Sequence, residues 1–362
     1  MRERIQLCAI CDSGYAVPTT VMLTSAKLNK SADSQYHISL ISNGLTLYEK
    51  QKFIELSSSD FQIDIIECDG SKYAGIPIAS QFSTSVMIKC DLADILPELN
   101  KVLLLDGDIL VKKDLSELWE TDLGDNILAA CSDMVGVVGD KLHELVGTPD
   151  YFNSGVLLLN LDIMRKEHIG QKVVETKLAA PSTWTLPEQD PYNVVCNGRW
   201  LKLPVKWNTS ISLFKYFNYS ISAINDYYGT HYGNYTELED ESCVMHFCVF
   251  KPWKNKLMHY ADVWQKYHNM SPYGDTNLPH EAGYPSEPII ETTYIRLFGI
   301  VPIIRYVKKT HREDCYMFGF IRLYKIKKKK DGKREYLLFG FIPSLTRDQR
   351  KINCRTISTL SR

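Results

Sequence analysis

The chain has 362 residues, of which 44% are hydrophobic and 23% are charged, and its formal net charge is −1. This length supports one large α/β domain with an extension, and the balanced charge argues against a nucleic-acid-binding protein. Ten cysteines scattered through apolar segments, the lack of a signal-peptide pattern and the lack of a run of ~18 apolar residues favour a cytoplasmic protein.

Short apolar runs alternate with segments of helical periodicity, which predicts βαβ units and a mainly parallel sheet. The predicted strands are residues 5–11, 36–42, 61–67, 102–105, 127–131 and 156–161. The predicted helical segments are residues 18–28, 47–56, 83–96 and 114–118. Ligands of such sheets bind at the carboxyl ends of the strands. We therefore expect Asp12 and Asp106, which follow the first and fourth strands, to lie at a binding site.

The strongest local signal is the motif Asp106-Gly107-Asp108 at the end of the fourth apolar strand. Two carboxylates at the end of a strand can reach one cation, and oxygen ligands suit Mg²⁺ or Mn²⁺. Such an ion neutralises a diphosphate leaving group. We expect Asp108 to face solvent at the strand end. In the structural alternative, the two aspartates only cap the turn and the segment after it.

Phosphatases of the haloacid dehalogenase type also end an apolar strand with Asp-x-Asp, and they use the first aspartate as a nucleophile. Two features of this chain count against that alternative. The motif follows about the fourth strand rather than the first, and Leu110 stands where the phosphatase pattern usually has Thr or Val. The phosphatase therefore remains the alternative enzyme class.

Three further segments follow the aspartate motif in order: residues 151–160, 187–193 and 246–253. Together they resemble the retaining glycosyltransferases of family 8, in particular the bacterial enzymes that build the lipopolysaccharide outer core. The resemblance covers residues 4–265 and implies the GT-A fold, a Rossmann-like α/β fold with a mixed sheet. It also implies transfer of a hexose from UDP-galactose or UDP-glucose to a saccharide or lipid-linked saccharide, forming an α-linkage with Mn²⁺ or Mg²⁺ as cofactor.

The resemblance assigns roles on the nucleotide side of the site. Three residues match the metal ligands of the family: Asp106, Asp108 and His246. Lys251 matches the lysine that contacts the diphosphate, as suits a point charge. Asp12 matches a hydrogen-bond acceptor for the uracil base, and Tyr15 matches the ring that stacks on it. Without the resemblance, His246 would be interpreted as a core histidine and Lys251 as a surface lysine.

The resemblance also assigns roles on the sugar side. Asn153 and Ser154 match the segment that lines the donor-sugar pocket. Three residues match a catalytic segment whose usual sequence in the family is Asp-Gln-Asp: Glu188, Gln189 and Asp190. The first carboxylate of that segment binds hydroxyls of the donor sugar, and its glutamine lies near the anomeric carbon. Glu188 is one methylene longer than the aspartate of the family.

Two departures from the family pattern affect these assignments. Met87 stands where the family has an arginine that helps to hold the donor, and Lys89 is expected to substitute for that arginine. The spacing from His246 to Lys251 is one residue shorter than usual, and no glycine intervenes. An inactive protein that only binds sugar nucleotides is therefore a further alternative.

A segment rich in proline, glycine and polar residues predicts a linker at residues 271–288. It separates a catalytic domain, residues 1–270, from a C-terminal appendage, residues 289–362. The appendage repeats a Phe-Gly segment at Phe298, Phe318 and Phe339, and a basic turn follows the second copy. The cations of this turn are Lys325, Lys327, Lys328, Lys329, Lys330, Lys333 and Arg334.

Two interpretations of the basic turn stay open. Cations interleaved with aromatic residues favour peripheral attachment to an anionic membrane, such as the inner face of the cell membrane, with ~1 kcal/mol gained per cation near the surface. The alternative is a small antiparallel appendage with a solvated lysine turn.

Overall fold

The computed structural model describes residues 4–78, 82–139, 141–256 and 258–278, and six strands between residues 289 and 344. The chain divides into two compact units. The first comprises residues 1–215 and 219–283, and the second comprises residues 216–218 and 284–362. None of the helices within these described ranges combines the length and the apolar character that crossing a bilayer requires.

The first unit alternates strands and helices. In its described part, the strands are β1 (Ile5–Asp12), β2 (Tyr36–Asn43), β3 (Phe61–Glu67), β4 (Lys101–Leu105), β5 (Ile109–Val111), β6 (Leu128–Ser132), β7 (Phe152–Asn160), β8 (Trp200–Lys202) and β9 (Val244–His246). The helices are α1 (Ala16–Asn29), α2 (Leu47–Ile54), α3 (Leu92–Ile95), α4 (Ser116–Trp119), α5 (Leu142–Val146), α6 (Leu161–Lys166), α7 (Ile169–Ala179), α8 (Gln189–Val195), α9 (Ile211–Tyr216), α10 (Ile221–Tyr228), α11 (Tyr235–Glu241) and α12 (Ala261–Met270). A 3-10 helix, Thr84–Asp91, precedes α3.

Seven strands form the central sheet, in the order β3-β2-β1-β4-β7-β6-β8. The predicted mainly parallel sheet is confirmed, because only β7 runs antiparallel to its neighbours in this described sheet. The amino end of β7 therefore lies beside the carboxyl end of β4. Leu105 pairs with Val156, and the Asp106 N–H donates to the Gly155 carbonyl at 2.9 Å.

Strand β4 shows why a continuous apolar run forms the centre of this sheet. Its residues alternate between two cores: Leu103 and Leu105 pack on the side of α1, whereas Val102 and Leu104 pack on the side of α7. All four side chains are buried. Burial of each leucine or valine stabilises the fold by about 1.5–3 kcal/mol. The strand that ends at the aspartate motif is therefore held firmly on both faces.

A short antiparallel ribbon of β5 and β9 brings a distant segment to this motif. Ile109 pairs with His246, and the Phe247 N–H donates to the Asp108 carbonyl at 2.9 Å. The ribbon thereby places His246 next to the second aspartate.

The second unit contains an antiparallel sheet of strands in sequence order. The strands are β10 (Ile289–Leu297), β11 (Val301–Lys309), β12 (Arg312–Met317), β13 (Ile321–Lys328), β14 (Arg334–Leu338) and β15 (Ile342–Ser344). The phenylalanines of the three repeats and residues 329–333 of the basic turn lie outside the described residues.

Candidate active site

A cavity of about 290 Å³ opens at the sheet edge formed by the carboxyl ends of β1, β4 and β6 and the amino end of β7. Its lining includes eleven of the twelve predicted site residues: Asp12, Tyr15, Lys89, Asp106, Asp108, Asn153, Ser154, Glu188, Gln189, His246 and Lys251. A larger cavity of about 570 Å³ lies beside α6 and α7 and contains none of the twelve. Asp12 and Asp106, the two residues that the strand-end rule identified, both lie in the smaller cavity.

Asp106, Asp108 and His246 form a cluster suited to a cation. Their ligand atoms all lie within 4.8 Å of one another. Asp106 follows β4, Asp108 precedes β5, and His246 ends β9. Two carboxylates and an imidazole are a reasonable donor set for Mn²⁺, and the carboxylate oxygens also suit Mg²⁺. The residues therefore fit a divalent cation.

The prediction that Asp108 faces solvent is wrong. The residue is only 7% exposed, because β9 covers it. One carboxylate oxygen accepts from Lys251 Nζ, and the other lies 3.2 Å from His246 Nε2. Burial opposes ionisation of the carboxyl group, yet Lys251 and His246 hold the pKa of Asp108 below its usual range. Asp108 is therefore ionised in a desolvated position.

Two glycines permit the close packing of this cluster. A Cβ atom on Gly107 would lie 2.3 Å from Thr19 Oγ1, and a Cβ atom on Gly155 would lie 2.2 Å from His246 Cε1. Both distances are too short for any side chain. The glycine between the two aspartates and the glycine after Ser154 therefore allow the backbone to approach neighbouring side chains.

Lys89 is a buried cation between the two sides of the cavity. Its Nζ lies 2.9 Å from Asp106 Oδ1 and 2.9 Å from Glu188 Oε1, and it donates to the Ser154 carbonyl at 3.1 Å. Burial alone would lower the pKa of Lys89, but the two carboxylates hold it above its usual value. Met87, at the arginine position of the family, is fully buried in the core. The donor-binding role of Lys89 stays a prediction.

Glu188 and the first turn of α8 form the opposite wall. Ser154 donates through its N–H to Gln189 Oε1 at 2.9 Å and through its hydroxyl to Glu188 Oε1 at 2.9 Å. Asp190 is fully buried beneath the wall, where it accepts hydrogen bonds from the Tyr151 hydroxyl and the Leu186 N–H. Burial raises the pKa of Asp190. The contacts of Asp190 hold the wall in place, and its predicted catalytic role is untested.

The predicted nucleotide side of the cavity contains a pair of aromatic rings and the turn that holds Lys251. Tyr15 is 36% exposed, and its ring meets the Trp253 ring edge-on at 5.9 Å between centroids. Asp12 accepts from the Ser85 hydroxyl at 2.8 Å. Lys251 contacts Asp108 and also donates to two carbonyls of its own turn at 2.8 and 2.9 Å. The ammonium group therefore lies beside the metal-ligand cluster.

Sequence reasoning missed Asp133 and Asn208. Asp133 Oδ2 accepts from Asn153 Nδ2 at 3.1 Å and from Gln189 Nε2 at 3.2 Å. Asp133 follows β6 directly, so the strand-end rule used for Asp12 would have found it. Asn208 Oδ1 lies 2.9 Å from His246 Nδ1. Asn208 follows no periodic segment or strand end, and no local signal identifies it.

The fold and the cluster at its sheet edge define a GT-A nucleotide-sugar transferase fold with a candidate divalent-cation site. Residues 6–256 match the family model described as Glycosyl transferase family 8. The chain belongs to this family, which confirms the resemblance found in the sequence. The match ends before residue 284, where the main part of the second unit begins.

Several curated proteins are similar to this chain. General stress protein A of Bacillus subtilis is 24% identical over 276 residues, which are 74% of this chain and 94% of that protein. A lipopolysaccharide 1,2-glucosyltransferase of Escherichia coli K12 is 26% identical over 286 residues, which are 75% of this chain and 79% of that protein. Glycosyltransferase GlyA of Streptococcus pneumoniae is 28% identical over 214 residues, 58% of this chain but only 27% of that protein.

Solved structures confirm the predicted GT-A fold. The galactosyltransferase LgtC, in complex with donor and acceptor sugar analogs, superposes with a TM-score of 0.64 at 22% identity, covering 78% of this chain and 98% of that chain. The glycosyltransferase GlyE of Streptococcus pneumoniae superposes with a TM-score of 0.56 at 22% identity, covering 78% of this chain and 66% of that chain.

Replacement of Asp108 tests the cation cluster. Loss of a hydrogen-bond partner of a metal-ligating side chain weakens metal binding by ~10–100-fold. Asp108→Asn changes a ligand itself, so we expect it to weaken Mn²⁺ binding by more than this. Asparagine keeps the volume of the side chain and still offers an oxygen to Lys251, so the fold is retained. Mn²⁺ titration followed by electron paramagnetic resonance measures the effect, with the exposed Asp125→Asn as the matched control. Unchanged Mn²⁺ affinity in Asp108→Asn would exclude this cluster as the metal site.

Proposed function

We propose that this glycosyltransferase is a retaining hexosyltransferase that transfers galactose or glucose from its UDP derivative to a saccharide or lipid-linked saccharide acceptor. The product is an α-linked sugar of lipopolysaccharide or another surface glycan. One observation carries the proposal: a single cavity has the Asp106, Asp108 and His246 cluster with Lys251 on one side and Glu188 with Gln189 on the other.

On the nucleotide side, Asp106, Asp108 and His246 would hold Mn²⁺ or Mg²⁺, which when bound neutralises charge on the diphosphate. Lys251 lies against this cluster, where its ammonium group binds the same diphosphate and stabilises its departure. Tyr15 offers a partly exposed ring to the uracil base. Asp12 lines the cavity near this ring and accepts a hydrogen bond from the base.

On the sugar side, Lys89 holds the Glu188 carboxylate in position to accept hydrogen bonds from the hydroxyls of the hexose. The carbonyl oxygen of the Gln189 side chain is held by the Ser154 N–H. Glutamine is a poor covalent nucleophile. Asp133, the other carboxylate of this wall, accepts hydrogen bonds from Asn153, Gln189 and the Gly136 N–H, which lowers its nucleophilicity.

We therefore favour substitution on one face of the sugar without a covalent enzyme intermediate. The bond between the anomeric carbon and the β-phosphate oxygen breaks, and the acceptor hydroxyl forms the new bond on the same face. Its proton passes to the β-phosphate oxygen of the departing UDP. Lys251 supplies electrostatic stabilisation at the leaving group, the largest contribution expected from this chain.

A donor panel tests the proposed reaction. With Mn²⁺ present, we expect the full chain to release UDP from UDP-galactose or UDP-glucose, and to release much less nucleotide from GDP-mannose or CMP-sialic acid. EDTA and Asp108→Asn abolish this release. Binding of UDP-hexose without turnover would instead support the inactive sugar-nucleotide-binding alternative. Phosphate release from simple esters would support the phosphatase alternative, against which family membership now also argues.

Tyr15→Ala tests the position of the base. We expect it to weaken UDP binding by ~1–3 kcal/mol, the usual contribution of stacking a base on an aromatic ring. Isothermal titration calorimetry with UDP measures the loss. Tyr15→Phe is the matched control, because it keeps the ring and removes only the hydroxyl. Equal UDP affinity in the alanine variant and the wild type would contradict the proposed stacking.

We also propose that the second unit attaches the enzyme to an anionic membrane surface. The strand register gathers cations at one end of its sheet, where Arg312 pairs with Lys327 and Lys328 pairs with Arg334. Lys308 and Lys309 end the neighbouring strand β11 at the same end. Lys308, Lys309 and Arg312 are therefore further cations, in addition to those of the basic turn identified in the sequence. Three glutamates pair with Lys308 or Lys327 at the same end: Glu291, Glu313 and Glu335. The six cations outnumber them, and this excess supports electrostatic attraction to anionic lipids.

Neutralisation of these strand ends tests membrane attachment. We expect the full chain with Lys308, Lys309, Lys327 and Lys328 changed to Gln to lose at least ~100-fold in affinity for phosphatidylserine vesicles, at ~1 kcal/mol per cation. Co-sedimentation at low salt measures binding. The matched control changes four exposed lysines of the first unit to Gln: Lys141, Lys166, Lys172 and Lys254. If the wild type ignores these vesicles, or both variants bind alike, the basic turn belongs to a solvated structural appendage.

A further inference from the structure

Hydrogen bonds connect the sugar side of the cavity to the metal-ligand cluster, and a backbone group fixes their direction. The Gly155 N–H donates to Asn153 Oδ1 at 3.0 Å. A backbone N–H can only donate, so this contact identifies the oxygen of the Asn153 carboxamide. The nitrogen of the same carboxamide then faces Asp133 Oδ2 at 3.1 Å, and a carboxylate can only accept. The orientation of Asn153 is thus fixed at both ends.

Asn208 continues this chain of hydrogen bonds. Its Nδ2 donates to Asn153 Oδ1 at 2.8 Å, so its own oxygen is the atom that lies 2.9 Å from His246 Nδ1. That oxygen can only accept, and therefore His246 Nδ1 carries a hydrogen. The other nitrogen, Nε2, lies 3.2 Å from Asp108 Oδ1, which can only accept, so without a cation Nε2 also carries a hydrogen and donates it to that carboxylate. Loss of this second hydrogen leaves the Nε2 lone pair on the side of the ring that faces the Asp106 and Asp108 carboxylates, where a cation would bind.

Both partners in the hydrogen bond between Asn208 and His246 are buried. Asn208 is 4% exposed and His246 is 3% exposed, so bulk water cannot replace either partner. The Asn208 side chain does not line the cavity, and its contacts are with His246 and Asn153 rather than with a substrate. Its effect on the reaction therefore passes through these two residues.

We infer that Asn208 is a positioning residue that holds His246 in the tautomer required of a metal ligand and couples this ligand to Asn153 in the sugar pocket. The inference rests on the proposed metal site. A hydrogen-bond acceptor on the far nitrogen orients a ligating histidine and raises its basicity. The same carboxamide orients Asn153, so one residue serves both sides of the cavity.

Two substitutions separate these contacts. Asn208→Leu removes both hydrogen bonds, and we expect Mn²⁺ affinity to fall by ~10–100-fold. Asn208→Asp keeps an acceptor for His246 Nδ1 but places a second acceptor against Asn153 Oδ1. We expect it to retain Mn²⁺ affinity within a few-fold, while kcat for UDP-hexose hydrolysis falls by ~10–100-fold because Asn153 is displaced.

Mn²⁺ titration, UDP release and thermal unfolding are measured on the full chain, with the partly buried Asn126→Leu as a control outside the cavity. Absence of Mn²⁺ binding in the wild type would refute the proposed metal site itself. If the wild type binds Mn²⁺ and folded Asn208→Leu binds it equally well, the inference about Asn208 is overturned. Should Asn208→Leu not fold, Asn208→Asp decides alone: retained Mn²⁺ affinity with reduced kcat supports the inference, and equal loss of both contradicts it.

Discussion

The buried ammonium group of Lys89 joins the two sides of the candidate active site. It lies at the same distance, 2.9 Å, from carboxylates that belong to different elements, Asp106 after β4 and Glu188 before α8. Removal of one partner from a buried ion pair typically costs ~3–5 kcal/mol, because the remaining charge is left uncompensated. The distance between the metal-ligand cluster and the wall at the start of α8 is therefore constrained by the folded chain before a substrate binds.

The rule that ligands bind at the carboxyl ends of strands predicted part of this site from the sequence. It could not predict that β7 runs antiparallel to its neighbours. Asp12 ends β1 and Asp106 follows the parallel strand β4, so local patterns were enough to predict that they meet at one edge. Asn153 and Ser154 reach the same edge because β7 is antiparallel and contributes its amino end. Strand direction depends on the path of the chain between strands, which apolar periodicity does not encode. Family resemblance identified these residues where periodicity did not.

Local sequence patterns also could not predict which polar side chains of the site are buried. Asp108 was expected at a solvent-facing strand end, but pairing of β5 with the distant strand β9 covers it. Lys89 lies on a helical segment that the sequence predicted, and its two carboxylate partners come from separate regions of the chain. The two hydrogen-bond partners of Asn208 in this site, Asn153 and His246, are 55 and 38 residues away in sequence. Contacts of this kind arise from the tertiary fold alone.

Gly155 links the steric and the hydrogen-bonding requirements of the site at one backbone position. Its N–H fixes the Asn153 carboxamide, and the space beside its Cα admits the His246 ring, which any Cβ atom would displace. Its carbonyl accepts from the Asp106 N–H and so ties β7 to the aspartate motif. A residue with a side chain could keep the two backbone hydrogen bonds but not the position of His246. Close approach of the backbone, rather than a special backbone conformation, is therefore the physical reason for glycine here.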